Sequence, residues 1–134
     1  MSEETEKFSY TFKKNERLSS KKRIDNMFNN GKSFISYPLR VIYVSRLDDS
    51  VPPVSVFISV RKRKIKVVPK RNRVKRVIKE VYRLNKYQFI ELARANRGLD
   101  IGFLYLHHEP LRYTDIEKAL LKIAAKMKLL FEGG

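Results

Sequence analysis

Arg61–Arg83 reads RKRKIKVVPKRNRVKRVIKEVYR. Between Arg61 and Lys79 this stretch carries eleven basic residues and no acidic one. A tract this basic is ordinarily disordered, because like charges repel and little apolar surface remains to be buried. Here a second pattern is superimposed. Val74, Val77, Ile78 and Val81 recur at the i, i+3, i+4, i+7 spacing of an amphipathic helix. With Arg71 at zero and about 100° per residue, these four fall between roughly 240° and 340° on the helical wheel. Asn72, Lys75, Arg76, Lys79 and Arg83 fall between roughly 40° and 140°. One face can therefore pack on a core while the other presents four cations and an amide. Pro69 suits the first turn, where its missing N–H costs nothing. A merely solvated face mixes both signs of charge, whereas this one carries almost one sign. The spacing predicts a rigid, preformed helix that binds a polyanion.

The rest of the composition agrees. A chain of 134 residues predicts one domain, here residues 12–131 behind a disordered polar tail, 1–11. The net charge of +16 points to a polyanionic partner and opposes compaction, so the native state gains stability from that partner. The absence of cysteine excludes disulfides and thiolate metal sites. MSEETEKFSY lacks the basic-then-apolar layout of a signal peptide, and no apolar run approaches the roughly 20 residues of a membrane span. The expectation is a cytoplasmic protein without a membrane partner, since large apolar residues that would enter lipid are missing beside the basic face.

Along the chain, Phe8, Tyr10 and Phe12 alternate, so part of the tail is expected to lie extended on the domain. Ser19 or Ser20 can cap a short helix with Ile24, Met27 and Phe28 on one face, and Gly31 is free to close it in the left-handed conformation. Leu39–Arg46 and Val54–Val60 read as strands separated by a turn at Asp48-Asp49-Ser50 and Pro52-Pro53. Arg61–Val68 forms a short third strand or an irregular crossing. The periodicity of the basic helix is clear to Leu84, and Tyr87–Ala95 either extends it or forms another helix. Leu99–Leu106 is a further strand, in which Gly102 marks a bulge or a close backbone approach. Thr114 and Glu117 have capping-box spacing ahead of a last helix with Ile116, Leu120, Ile123 and Met127 on one face. The order helix, strands, helix, strand, helix predicts an α+β domain of sheet and helices.

No set of residues in the sequence amounts to catalytic machinery. His107-His108-Glu109 is the sole histidine cluster, and adjacent residues on a strand point to opposite faces. Asp48, Asp49, Asp100 and Asp115 lack the spacing of a two-metal nuclease, and Asp100 reads as a turn or cap residue. Asn72 is uncharged at the centre of the cationic face. Its amide can donate to phosphate, bond a hydrated metal ion, or cap the helix. Phe28, Tyr37, Tyr43, Phe57 and Tyr105 lie on or near predicted elements; most such rings are core, and any that face a groove can stack on unpaired bases.

Arg71-Asn72-Arg73-Val74-Lys75-Arg76, followed by Ile78, Lys79, Glu80 and Arg83, resembles the RNR signature of the protein subunit of bacterial ribonuclease P. Arg17-Leu18 with Ile24, Phe28 and Gly31 is similar to that family's opening motif, Ser59–Lys64 to the segment before the signature, and Asp100-Ile101 to the start of its last strand. The resemblance covers roughly residues 12–130. The chain departs from the family pattern at Lys64-Ile65-Lys66-Val67-Val68-Pro69, where a glycine turn and a small residue are replaced, and at Ile24, where the family has phenylalanine. The resemblance implies an α/β sandwich of order αβββαβα with a mixed sheet and a left-handed βαβ crossover. It implies that a catalytic RNA subunit cleaves the 5′ leader from precursor tRNA, with Mg2+ acting alongside the RNA and none held tightly by the protein, which is monomeric within the ribonucleoprotein. The RNA-subunit surface would comprise Arg61, Lys62, Lys64, Lys70, Arg71, Asn72, Arg73, Lys75, Arg76, Lys79 and Arg83, with Asn72 touching a hydrated metal ion. A cleft between the first helix and the sheet, with Phe28, Tyr43, Arg17 and Lys13, would hold the single-stranded leader.

The alternatives are a basic ribosomal-type structural protein, disfavoured because the charge sits in a periodic helix and not in long tails, and a protein-only nuclease, disfavoured by the missing carboxylate or histidine set. If about six of the cations contact phosphates, RNA affinity falls about a thousandfold or more between 50 and 200 mM salt. Arg71→Ala combined with Arg76→Ala is expected to flatten the slope of log K against log salt by up to about two units. An unchanged slope would show that the helix is not the phosphate-contacting surface.

Overall fold

The structure is a computed structural model that describes residue 12 and residues 16–46, 53–94 and 98–133. The expected tail, Lys13, the Asp48–Pro52 turn and Arg97 lie outside the described residues. The elements run α1 (Lys21–Asn30), β1 (Lys32–Ser36), β2 (Leu39–Ser45), β3 (Val54–Ser59), α2 (Val68–Arg94), β4 (Leu99–Tyr105) and α3 (Tyr113–Gly133). The four strands form one mixed sheet in the order β1-β2-β4-β3. β1–β2 and β2–β4 are antiparallel, and β3–β4 are parallel neighbours joined through α2, a βαβ unit. The α+β class and the element order match the expectation.

Alternation along the strands sorts side chains onto two faces. Leu39, Val41, Tyr43, Val54, Val56, Leu99, Ile101, Phe103 and Tyr105 join α2 and α3 in the main core. Ile42 and Leu104 face the other way and pack with Leu18 and Met27 beneath α1. β4 is buried along its whole length, as its central place in the sheet requires. On α2, Val74, Ile78, Val81, Tyr82, Phe89 and Leu92 are buried. Beyond Leu84 the helix continues unbroken to Arg94, so Tyr87–Arg94 extends it. The apolar pattern drifts there because Lys86 occupies the buried stripe, where Glu16 meets its ammonium at 2.9 Å.

One open alternative is decided, one strand is added, and two local expectations are corrected. Arg61–Val68 contains no strand: Lys62–Lys64 turn, Lys64 and Ile65 donate to Arg61 O, and α2 begins at Val68. The third strand of the run is Lys32–Ser36, paired with β2 across Tyr37-Pro38. Gly31 is extended, at φ −79° and ψ 161°, so left-handed freedom is not its purpose. A Cβ there would stand 2.4 Å from Met27 O and 2.8 Å from Tyr43 O; glycine is needed for close approach. The helix α3 is capped two residues earlier than Thr114-x-x-Glu117 suggests, with Asp115 Oδ2 accepting from the Arg112 N–H at 3.3 Å. Other local features are as expected. Pro69 lies in the first turn of α2, and Ser20 caps α1. At Gly102 the backbone approach is close, since a Cβ would meet Met27 Cε at 2.8 Å and Ile42 Cγ2 at 3.0 Å.

Asp100 is neither a turn nor a cap residue. It lies on β4, 1% exposed, and points to the α1 side. Arg23 of α1 forks onto it, Nε reaching Oδ2 at 3.1 Å, and Arg46 Nε stands 3.4 Å from Oδ1. This carboxylate ties α1 to the centre of the sheet. Removing one partner of a buried charge pair strands the other, which costs about 3–5 kcal/mol. Asp100→Ala is therefore expected to lower the unfolding free energy by about 3 kcal/mol or more in urea titration, through the near-buried Arg46. A loss below about 1 kcal/mol would mean that the pair is screened by water.

Candidate nucleic-acid interface

The cationic half of α2 is aimed by burial of its opposite face. Asn72, Arg73, Lys75 and Arg76 are exposed and Lys79 half-exposed, while Val74 and Ile78 between them are buried. Asn72, Lys75, Arg76 and Lys79 form one wall of a groove of about 530 Å³. Val56, Phe57 and Ile58 of β3, the sheet's edge strand, form the second wall, and Phe12, Arg17, Leu18 and Ser19 the third. Among the described residues no acidic side chain lines it.

The segment before α1 is clamped in place at three points. Leu18 donates its N–H to Val56 O at 2.7 Å, and Arg17 bridges Val56 in parallel. Glu16 pairs with Lys86, both buried. The Phe12 ring meets Tyr82 edge-on, with centroids 5.8 Å apart. Burial, together with the negative charge of Glu16, pushes the Tyr82 hydroxyl far above its ordinary pKa, so it stays neutral. Arg17 and Lys79 stand 5.9 and 5.8 Å from the Phe12 centroid, a spacing at which the ring face attracts both cations.

Several residues expected on the RNA-subunit surface have internal partners. Arg71 is half-buried and donates from Nη1 to Ile65 O at 3.1 Å and to Lys66 O at 3.3 Å, holding the turn that lacks a glycine. Arg71→Ala would thus loosen that turn as well as remove a charge, and Lys75→Ala with Arg76→Ala is the purer charge test. Arg83 forks onto Glu80, Nε to Oε2 at 3.0 Å. The hydrogen bond from Arg83 holds the Glu80 carboxyl below its ordinary pKa. Lys70 lies 4.0 Å from Glu109 across the surface. Arg61, Lys62 and Lys64 are exposed in the turn ahead of α2.

The aromatic residues divide between the two faces. Phe28 is 41% exposed on α1 and meets Phe57 edge-on at 6.2 Å. Phe57 is itself part of the groove, so the α1 surface and the cationic groove are continuous through this ring. Tyr43 does not join Phe28. It is 6% exposed on the opposite face of the sheet, against Phe34 and Phe131, because its odd register on β2 places it with Leu39 and Val41. Its neighbours Ile42 and Val44 take the α1 face. Tyr43 borders a separate groove of about 810 Å³ at the β1 edge, with Lys32, Phe34, Lys126 and Phe131. Arg17 lies in the cationic groove, and Lys13 is outside the described residues.

His107 shares one hydrogen bond with the Tyr37 hydroxyl, Nδ1 to Oη 2.6 Å, at the end of β4. Among the described residues no group of three or more His, Cys, Asp or Glu could hold a metal ion. Two features escaped the sequence reading: the clamp by Glu16 and Leu18, and the open edge of β3. The one local sign of the latter is Ser55-x-Phe57-x-Ser59, a face of β3 that alternates against Val54, Val56 and Ile58.

The fold and the sequence are similar to those of known proteins. A family model described as Ribonuclease P matches residues 12–128. The Ribonuclease P protein component of Porphyromonas gingivalis is 34% identical over 115 residues, covering 85% of this chain and 84% of that protein. The corresponding protein of Petrotoga mobilis is 31% identical over 129 residues, 88% of this chain and 96% of the relative. Among solved structures, the RNase P protein of Thermotoga maritima superposes with a TM-score of 0.65 at 21% identity, over 82% of this chain and 96% of that one. That of Staphylococcus aureus does so with 0.65 at 20% identity, over 81% and 94%.

Proposed function

The chain belongs to the ribonuclease P protein family, and on that premise we propose that its two continuous surfaces divide the work of recognising precursor tRNA. As the protein component of ribonuclease P, the chain serves an endoribonuclease whose other partner is an RNA subunit. The family assignment removes the ribosomal alternative. In the proposed division, α2 docks on the RNA subunit through Asn72, Arg73, Lys75 and Arg76, whose exposed cations meet phosphates. Phe28 receives the unpaired 5′ leader of precursor tRNA. The observation that carries this reading is the exposed Phe28 ring set against Phe57, which also lines the cationic groove. An aromatic ring exposed beside a cationic wall suits unpaired RNA, which offers a base face and a phosphate together.

Mg2+ belongs to this proposal through the RNA subunit, where, when bound, it would supply positive charge to the reacting phosphate. The surroundings of Asn72 fit an outer contact only. They are cationic and, among the described residues, without carboxylates, so the amide could bond a hydration water of an ion that RNA phosphates hold. The protein acts as a single copy within the ribonucleoprotein, in the cytoplasm, where precursor tRNA is made. None of the helices is long and apolar enough to cross a membrane among the described residues.

The division of labour is tested by assaying 5′ cleavage of precursor tRNA with protein alone, RNA subunit alone, and both. Cleavage is expected to require the RNA and to improve with the protein at low salt. Cleavage by protein alone would overturn the reading. Stacking on one aromatic ring contributes about 1–3 kcal/mol, so Phe28→Ala is expected to weaken precursor tRNA binding about tenfold and to leave mature tRNA nearly unaffected. The exposure of Phe28 predicts that thermal stability changes little in the same variant. Equal losses for both tRNAs, or none, would end the leader role of this residue.

A further inference from the structure

The two edges of the sheet differ. On β3, Leu18 and Arg17 pair with Val56. β1, at the opposite edge, has no backbone partner on its outer side among the described residues. A strand so placed presents a row of free N–H and C=O groups, and proteins ordinarily blunt it with lysine, proline, a bulge or a covering element. Lys32 stands at the start of β1, but Ser33–Ser36 carries none of these devices. Ile35 is 61% exposed there, on the face where Arg40 lies across from it. The helix α3 flanks the same edge on the other face. Ser36 Oγ donates to Ala119 O at 3.0 Å, Lys126 Nζ stands 4.6 Å from the Phe34 centroid, and Phe131 shares a groove with Lys32. The helix therefore runs beside β1 in the opposite direction. Lys118, Lys122 and Lys126, at i, i+4 and i+8, are all exposed. The first two line a groove with Tyr37 at one end of β1, and the third lines the groove at the other end. Among the described residues Asp115 is the one acidic side chain lining either groove, and Arg112 occupies its carboxylate.

These spacings match an extended acidic peptide. Helix positions four apart are separated by about 6 Å along the axis, and alternate residues of a strand by about 6.6–6.8 Å. Carboxylates at every second position of an added strand meet the lysine row one by one, and the intervening side chains fall on the opposite face beside Ile35. A nucleic-acid strand has no N–H and C=O ladder to offer β1. We propose that β1 is a docking edge for an acidic segment of a partner protein, added as a fifth strand whose alternate carboxylates face Lys118, Lys122 and Lys126. Three strand spacings put this edge about 14 Å from β3 and the cationic groove, so the partner can dock with RNA in place. Docking here is independent of how α2 and Phe28 divide precursor tRNA.

The test uses the full chain and a fluorescent peptide of alternating glutamate and valine at low salt, read by anisotropy. A peptide with the same residues in two blocks is the control. Lys122→Glu with Lys126→Glu is compared with Lys75→Glu and Lys79→Glu, an equal change of charge at the far edge of the sheet. The β1-edge variant is expected to lose about tenfold or more in affinity, the α2 variant less than about threefold, and the block peptide to bind about tenfold more weakly than the alternating one. Both reversed lysines of α3 are exposed, so the melting temperature is expected to change little. Ile35→Asp, which opposes a charge to the valine row, is expected to weaken binding without altering α3. Bound peptide is expected to slow amide exchange in Lys32–Ser36 and to leave Val54–Ser59 unchanged. No binding by the parent chain, equal losses in the two charge variants, no preference for the alternating peptide, or no protection of β1 would overturn the proposal. Displacement of single-stranded hexauridylate by the peptide would put it on the RNA face, and a comparable loss of hexauridylate binding in the β1-edge variant would give the edge to RNA; either overturns it. Dimerisation of the parent chain that the β1-edge variant abolishes would give the edge to a second copy and overturn it too.

Discussion

The cationic face of α2 exists as a surface only because the opposite face is buried. Like charges at i,i+3 and i,i+4 on a helix repel by about 0.2–0.5 kcal/mol per pair. Arg71, Lys75 and Lys79 form such a row, and Arg73 with Arg76 another pair, so the repulsion of these three pairs sums to roughly 0.6–1.5 kcal/mol. Burying Val74, Ile78 and Val81 contributes about 1.5–3 kcal/mol for each side chain, several times the opposing term. The apolar stripe therefore decides the conformation, and the charge is carried in a fixed direction. A partner then meets cations already ordered, without the entropy cost of ordering a disordered basic tail.

Two ion pairs extend that order to the rest of the interface. Lys86, in the buried stripe of α2, holds Glu16 and with it the segment that walls the groove. Asp100, in the central strand, holds Arg23 and thereby the helix that carries Phe28. Both link parts of the chain more than sixty residues apart. A buried pair of this kind contributes little net stability over an apolar replacement, and its use here is geometric: it fixes where an element sits. The α1 helix also approaches closely through Gly31 and Gly102, where a side chain would collide with Met27 or with backbone. Phe57 then becomes the meeting point of the two surfaces, touching Phe28 on one side and the cationic groove on the other.

Sequence periodicity was a sound guide wherever one element meets a continuous core. It located α2, β2, β3, β4 and α3, because burial of one face imposes a period that the residues must follow. It lost α2 at Lys86, where the buried residue is charged, and it missed β1, whose exposed and half-exposed KSFIS has no strong pattern of its own. It also left Arg61–Val68 open between a short strand and an irregular crossing, because its β-branched residues suit either; β4, not this segment, is the neighbour that β3 pairs with.

Composition and local spacing were enough to establish the polyanion-binding character, the amphipathic helix that carries it and the absence of disulfide chemistry, since each depends on residue content or on one element, while the family was legible only as a resemblance of motifs along the chain. Packing in three dimensions selected which cations face the groove. Arg71 and Arg83 turned to internal acceptors, and Lys75, Arg76 and Lys79 remained at the groove. Packing also set Phe28 facing out while Tyr43 is buried on the far side of the sheet. Neither outcome is local: a one-residue step along a strand reverses the face of a side chain, and the partner that captures a charge can lie anywhere in the chain.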